Sequence, residues 1–365
     1  MKLKLDYQKH DLKFKFDAGT SRGVLREKCS WFLKVSAGKE AYGLGECGPL
    51  PGLSMEAMSD VEPELRKVSE SIHQFNFADL DKQAVFDIAE RLSPIASIRF
   101  GLETALFDLL NGGIRRIFDN SFSRGESSIP INGLVWMGDL AFMKKQIDEK
   151  IAAGFTCVKL KIGALDFEEE LKLLSYIREH FSDRHLTSRV DANGAFHPQE
   201  ALTKLMALSR FNLHSIEQPI PVKHWSEMKK LCQESPVDIA LDEELIGINS
   251  LEDKIKLLES INPHYIILKP SLVGGIRSTM EWISLAEDRG IDWWMTSALE
   301  SNLGLNAIAQ LTAQYKIDKP HGLGTGQLYH NNIDSPLSIS KGVIKYDQHK
   351  PWNYSQLSSL IHLEK

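Results

Sequence analysis

Two lysines and a set of carboxylates in this sequence have the residue types and the spacing that proton transfer at a metal centre requires. Lys159 and Lys161 stand two residues apart in the stretch 158–162, between apolar neighbours. Because side chains alternate along a strand, both ammonium groups face one side and the apolar residues face the other. Two ammonium groups on a buried face cost free energy unless anionic groups lie nearby. The pattern therefore predicts carboxylates close to these lysines.

Three carboxylates and a third lysine occupy comparable places further along the chain. Each one ends a short apolar stretch that is typical of a strand: Asp191, Glu217, Asp242 and Lys269. In parallel β/α barrels the carboxyl ends of the strands meet at one face, where active sites are built. Taken singly, each residue is also explained by a turn, a cap or a solvated strand end. Three carboxylates on consecutive strands, with lysines on the strands to either side, indicate one common site.

This combination suits the removal of a proton next to a substrate carboxylate. Oxygen ligands without His or Cys favour a hard cation, for which Mg²⁺ is the usual choice. Such a cation can chelate the carboxylate and offset the charge that appears when the α-carbon loses its proton. The charge of Lys159 should leave a share of Lys161 neutral and able to act as a base. Lys269 should approach from the opposite face. Arg189 shares the parity of Asp191 and is a candidate for orienting Lys161 or the substrate.

The elements that would position these residues alternate between strands and helices. Eight strands with a recurring unit of about 25 to 30 residues, nearly all followed by a helix, predict a parallel β/α barrel of the TIM type over residues 126–336. The predicted strands lie at 130–136, 156–162, 187–191, 213–217, 238–242, 265–269 and 293–297, with a shorter last one at 322–324.

Residues 1–125 have a different sequence pattern, in which predicted strands come before a segment of helical periodicity. They predict an N-terminal α+β capping domain, completed by the tail at about 337–365. Alternation predicts separate strands near 1–6 and 12–16, and the polar loop 18–24 is typical of a hairpin connection.

Composition excludes several classes of protein. The net charge is −6 without long runs of one sign, which argues against nucleic-acid binding. The N-terminus alternates apolar and charged residues rather than forming the apolar core of a signal peptide, and no stretch is long and apolar enough to span a bilayer. The four cysteines lack any C-x-x-C spacing and are expected to be reduced core residues. We therefore expect a cytoplasmic protein.

The order K-x-K, Asp, Glu, Asp, Lys resembles the enolase superfamily, in its muconate-cycloisomerase subgroup. Within that subgroup, the stretches 21–24, 45–52, 297–301 and 322–326 are similar to the o-succinylbenzoate synthases. The resemblance covers nearly the whole chain and implies an α+β capping lobe on a modified (β/α)7β TIM-type barrel. It also implies a carbon–oxygen lyase of menaquinone biosynthesis, which dehydrates 2-succinyl-6-hydroxy-2,4-cyclohexadiene-1-carboxylate to 2-succinylbenzoate through an enediolate.

The resemblance also implies a metal site. Asp191, Glu217 and Asp242 would hold Mg²⁺, for which Mn²⁺ can substitute. Asn193 and Glu243 would support these ligands from behind.

The resemblance implies a division of labour among the lysines. Lys161 would remove the α-proton and then assist loss of the hydroxyl as water, while Lys159 would tune it and help to place the carboxylate. Lys269 would stabilise the enediolate by its charge. The loop 20–24 would close over the substrate. The implied substrate contacts are Ser297, Gly324 and Arg22.

Alternative activities are distinguished by single residues. A mandelate-racemase-type enzyme needs a His base near the seventh strand, where 293–297 has none, and dipeptide epimerases tend to carry an acidic pair where 322–327 has no acid. An N-succinylamino-acid racemase, or another enzyme of the muconate-cycloisomerase type, stays open, because two lysines on opposite faces could each act as a base. The complete set of ionisable groups disfavours a noncatalytic barrel. The expected partners are a small-molecule carboxylate substrate and, in a homo-oligomer, further copies of the chain, with neither nucleic acid nor membrane among them.

Overall fold

The N-terminal part of the molecule is built on a three-stranded antiparallel sheet. The computed structural model describes residues 1–20, 23–38 and 40–361. The strands are β1 (Leu3–Thr20), β2 (Gly23–Ala37) and β3 (Ala41–Cys47), in the order β1-β2-β3. β1 is one long strand where alternation predicted two, and its register shifts between Lys13 and Ala18. Thr20 pairs with Gly23, which confirms the hairpin connection.

Three helices follow, and the last of them lies unusually close to the sheet. They are α1 (Met58–Ser71), α2 (Lys82–Leu92) and α3 (Ala96–Leu110). A Cβ atom added to Gly45 of β3 would lie 2.0 Å from the carbonyl oxygen of Gly101. Any larger residue at position 45 would therefore push α3 away, and α3 is buried along most of its length.

The second part of the chain is a curled parallel sheet surrounded by helices, which confirms the predicted TIM-type barrel. After the short strand β4 (Ser128–Pro130), seven parallel strands are hydrogen-bonded in chain order. They are β5 (Gly133–Val135), β6 (Cys157–Lys161), β7 (Thr187–Asp191), β8 (Ser215–Glu217), β9 (Ile239–Leu241), β10 (Tyr265–Leu268) and β11 (Asp292–Met295). The helices are α4 (Leu140–Ala152), α5 (Phe167–His180), α6 (Pro198–Leu208), α7 (Trp225–Glu234), α8 (Leu251–Ile261), α9 (Gly275–Glu287) and α10 (Asn302–Thr312).

The predicted eighth strand is reduced to two bridging residues. His321 pairs in parallel with Ile131, next to β5, and Gly322 pairs with Thr296, next to β11. These bridges connect the two edges of the sheet. Glycines at 322 and 324 weaken strand propensity, so a full strand does not form here.

The tail packs against both parts of the molecule. Strands β12 (Leu337–Ser340) and β13 (Val343–Tyr346) join β4 in an antiparallel sheet. Leu357 and Leu360 then pack with Phe32 and Leu44 of the N-terminal sheet. Within the described ranges, none of the helices combines the length and the apolar character needed to cross a membrane.

Two buried carboxylates of the N-terminal part bind helix N-termini of the barrel. Glu46 on β3 accepts hydrogen bonds from the backbone N–H groups of Ser301 and Gly304, each at 3.0 Å. Glu103 on α3 accepts from the backbone N–H of Ile276 at the start of α9. Both side chains accept hydrogen bonds from N–H groups that have no partner within their own helix, so these contacts hold the two parts in one arrangement.

Candidate active site

The register of the barrel strands brings the predicted site residues to one edge of the sheet. Lys161 on β6 lies beside Asp191 on β7, which in turn lies beside Glu217 on β8. Asp242 and Lys269 directly follow β9 and β10, the next two strands. Because parallel strands end at the same edge, all five side chains meet at the carboxyl face of the barrel.

The carboxylates are fully buried and are paired with the lysines. Asp191, Glu217 and Asp242 are each no more than 2% exposed. Lys159 Nζ lies 2.9 Å from Asp191 Oδ2 and also pairs with Glu217. Lys269 Nζ pairs with Asp242 and lies 3.9 Å from Glu217 Oε1. The predicted anionic partners of the lysines are thus in contact with them.

Burial and neighbouring charges shift the pKa values of these groups in different directions. Burial would raise the pKa of Asp191, but the charges of the neighbouring lysines outweigh it and hold this pKa far below its usual value. Burial and the negative charge of Asp191 raise the pKa of Glu217. Burial alone would lower the pKa of Lys159, yet the charges of Asp191 and Glu217 raise it. Within one cluster, the pKa values of Asp191 and Glu217 are therefore shifted in opposite directions.

Asn193 connects the base candidate to the opposite wall of the site. Lys161 Nζ donates to Asp191 Oδ2 at 3.0 Å and to Asn193 Oδ1 at 2.8 Å. Asn193 Nδ2 donates to Glu243 Oε1 at 2.9 Å, and its backbone N–H donates to Asp191. Lys161 is therefore held by two acceptors, one of which is itself fixed by Glu243.

The donor set fits a hard divalent cation, although the carboxylates do not form a cage in this arrangement. Both oxygens of Glu217 are buried and lack a hydrogen-bond partner of good geometry. Across the part of the chain that the structure describes, no three acidic, His or Cys side chains converge at metal-binding distances. In this arrangement the ammonium groups of Lys159 and Lys269 pair with these carboxylates.

Arg189 points into the barrel as its parity predicted, but it lies deeper than the site. Its guanidinium stacks on Trp294, 4.0 Å from the ring centroid, and donates to the carbonyl oxygen of Pro320 at 2.8 Å. It lies two residues before Asp191, about 6.6 Å lower along the strand axis. These contacts associate Arg189 with the base of the barrel rather than with Lys161.

A cavity of about 430 Å³ lies between this edge of the barrel and the N-terminal part. Its barrel wall carries Lys159, Lys161, Asp191, Asn193 and Lys269, together with Ser297 and Gly324. Its other wall is mostly apolar and comes from the β1–β2 hairpin and the loop after β3, through Val24, Leu25, Leu50, Pro51 and Leu53. Arg22, the contact expected from the hairpin, lies outside the described residues.

Ser297 lines the cavity, but its hydroxyl is already engaged. Its Oγ donates to Glu300 at 2.6 Å and accepts from Thr325 Oγ1 at 2.8 Å. Glu300, fully buried, also accepts from Ser271 Oγ at 2.5 Å. With its one proton committed, Ser297 shapes the wall and has no donor left for a ligand. Sequence reasoning missed the support from Glu300 and Thr325, for which the S-x-x-E spacing was the available signal.

Comparisons with known proteins agree with this geometry. A family model described as enolase C-terminal domain-like matches residues 143–351. The curated o-succinylbenzoate synthase of Desulfotalea psychrophila is 48% identical over 365 residues, covering 94% of this chain and 98% of that protein. The crystal structure of MenC from Desulfotalea psychrophila superposes with a TM-score of 0.86 at 44% identity, covering 94% of this chain and all of that one.

The fold is also shared with more distant proteins of other activities. A dipeptide epimerase from Enterococcus faecalis, complexed with Mg and the dipeptide L-Leu-L-Tyr, superposes with a TM-score of 0.83 at 19% identity, covering 94% of this chain and 97% of that one. At this identity the likeness concerns the fold alone. The resemblance read from the lysines and carboxylates is confirmed: this chain belongs to the enolase C-terminal domain-like family.

Proposed function

We propose that this protein dehydrates 2-succinyl-6-hydroxy-2,4-cyclohexadiene-1-carboxylate to 2-succinylbenzoate, a carbon–oxygen lyase reaction of menaquinone biosynthesis. The observation that carries the proposal is the 48% identity to a curated o-succinylbenzoate synthase over 94% of this chain. That span includes both the barrel strands with the ionisable cluster and the N-terminal elements that cover the cavity. We assign residues 126–336 to the catalytic barrel, and residues 1–125 with the tail from about 337 to the capping domain.

The three buried carboxylates are the proposed Mg²⁺ ligands. Asp191, Glu217 and Asp242 would hold the cation, and Asn193 and Glu243 would fix its surroundings. When bound, Mg²⁺ supplies positive charge beside the substrate carboxylate, which makes the neighbouring α-proton more acidic. The raised pKa of Glu217 supports this assignment, because added positive charge would relieve its burial beside Asp191.

Lys161 is the proposed base. In its neutral form it takes the α-proton, and the positive charge that develops on Nζ is stabilised by Asp191 and Asn193. The same proton then passes to the leaving hydroxyl, so the removed hydrogen and the hydroxyl depart together as water. The C–H and C–O bonds that break are balanced by the new double bond of the aromatic ring.

The remaining lysines act through their positive charge, and the capping elements act by excluding water from the cavity. Burial would lower the pKa of Lys269 and of Lys159, but the charges of the carboxylates around them outweigh it and raise both. Lys269 would stabilise the enediolate, and Lys159 would place the substrate carboxylate. The apolar wall formed by Val24, Leu50 and Leu53 would keep water from the cavity.

The direct test incubates the purified protein with Mg²⁺ and the cyclohexadiene carboxylate and monitors aromatisation by ultraviolet absorbance. A parallel reaction offers N-succinylamino acids in D₂O, because Lys161 and Lys269 both reach the cavity and could act as a pair of bases. Fast deuterium exchange without dehydration would replace the synthase by a racemase. Full turnover in a strong chelator would contradict the metal site.

A further inference from the structure

One lysine that lines the cavity is not explained by the chemistry above. Lys150 lies in the last turn of α4, outside the parallel sheet, and its stem passes over Gly133 of β5. A Cβ atom added to Gly133 would lie 3.0 Å from both Cγ and Cδ of Lys150. Lys150, Gly133 and the base candidate Lys161 border the same cavity. The absence of a side chain at Gly133 therefore leaves room for Lys150 to reach this space.

Lys150 has no anionic partner among the described residues. Its nearest aromatic contact is the ring of Phe155, whose centroid is 5.3 Å from Nζ. Burial lowers the pKa of Lys150, with only a small opposing effect from the charge of Glu149. On the same helix, Lys145 is exposed and lies 3.8 Å from Glu149. The helix C-terminus offsets part of the cost of the half-buried Lys150 charge, but an ordinary structural lysine would be expected to pair as Lys145 does.

We propose that Lys150 binds the distal carboxylate of the substrate side chain and so determines specificity for a succinyl group. The inference rests on the proposed function for the presence of that group. Among the described residues that line the cavity, the other cations are Lys159, Lys161 and Lys269. Each of these lies beside the metal-site carboxylates, and the proposed reaction already assigns them to the ring carboxylate, the base and the enediolate. A substrate with two carboxylates needs a second cation, and among the described residues of the cavity wall Lys150 is the one that remains.

The test compares two ligands that differ only at the distal end. Dissociation constants are measured by calorimetry for 2-succinylbenzoate and for 2-butanoylbenzoate, in which a methyl group replaces the distal carboxylate, with the Mg²⁺-loaded protein. The wild type should prefer 2-succinylbenzoate by about tenfold or more, the range of a charge-assisted hydrogen bond. Lys150→Met should lose this preference while binding 2-butanoylbenzoate as the wild type does. The control Lys145→Met, on the same helix, should keep it.

The outcomes separate this inference from the proposed function. A Lys150→Met protein that keeps the wild-type preference, or a wild type without any preference, overturns the role of Lys150 even if the wild type dehydrates the cyclohexadiene substrate. A preference that depends on Lys150, in a protein that does not dehydrate it, leaves the inference standing and removes the function. Thermal unfolding checks that the variant is folded, and Lys150→Gln serves in its place if it is not.

Discussion

Asn193 is the residue whose removal tests most directly how the base is held. It accepts a hydrogen bond from Lys161 Nζ at 2.8 Å and donates to Glu243 at 2.9 Å. Its backbone φ is +43°, in the left-handed region. Glycine tolerates this conformation, whereas alanine would add backbone strain of about 1–2 kcal/mol. Asn193→Gly is therefore the substitution that deletes the side chain with the least disturbance of the loop.

The expected loss follows from the charge that develops during catalysis. As Lys161 takes the proton, its Nζ becomes cationic, and the Asn193 oxygen stabilises it more than it stabilises the neutral amine. A hydrogen bond to a charged group contributes about 1.5–3 kcal/mol. Since about 1.4 kcal/mol corresponds to a tenfold change in rate, kcat of Asn193→Gly should fall by about 10- to 150-fold. KM should change less, because the lost contact is to the base.

The assay is steady-state aromatisation at saturating Mg²⁺, with a Mg²⁺ titration of each variant alongside. Asn193→Asp is the matched variant, since it keeps an acceptor for Lys161 but places a second carboxylate beside Glu243. A kcat of Asn193→Gly within about threefold of wild type would refute the positioning role. A loss of activity that excess Mg²⁺ fully restores would assign Asn193 to the metal instead.

Three other changes have defined outcomes. Lys161→Ala should abolish dehydration while calorimetric Mg²⁺ binding survives; retained turnover would remove Lys161 from the base role. Glu46→Gln should lower the free energy of unfolding by about 1–3 kcal/mol, because buried N–H groups at Ser301 and Gly304 lose a charged acceptor; an unchanged urea midpoint would contradict this. Burial, and then the charge of Arg189, lowers the pKa of His321 to about 3 from 6.5. As pH falls below 6.5, the unfolded chain therefore binds a proton that the folded chain does not bind until near pH 3, and stability should fall by about 1.4 kcal/mol per pH unit. His321→Asn should reduce this dependence of the free energy of unfolding on pH, measured by urea titrations at several pH values. A variant with the wild-type dependence would contradict the role of His321.

The fold could be predicted well where a pattern repeats. Alternation of strands and helices identified the barrel, and the last residue of each strand identified the cluster around Asp191, Glu217 and Asp242. Prediction from the sequence was less successful where the pattern is interrupted. β1 is one strand because residues 7–11, between the two predicted strands, pair in regular register with β2. The eighth barrel strand is only the bridging residues His321 and Gly322, because the glycines at 322 and 324 weaken strand propensity.

The sequence by itself determined which chemical groups are present and in which order the strands deliver them, because periodicity and strand ends are local properties of the chain. Only the tertiary structure decided which partners each of these groups contacts. Arg189 has the parity of Asp191 but stacks on Trp294, and Ser297 donates to Glu300 instead of to the cavity. Lys150 reaches the cavity only because Gly133, on another element, leaves space. Such partnerships depend on depth and on neighbours distant in sequence, which a one-dimensional pattern does not encode.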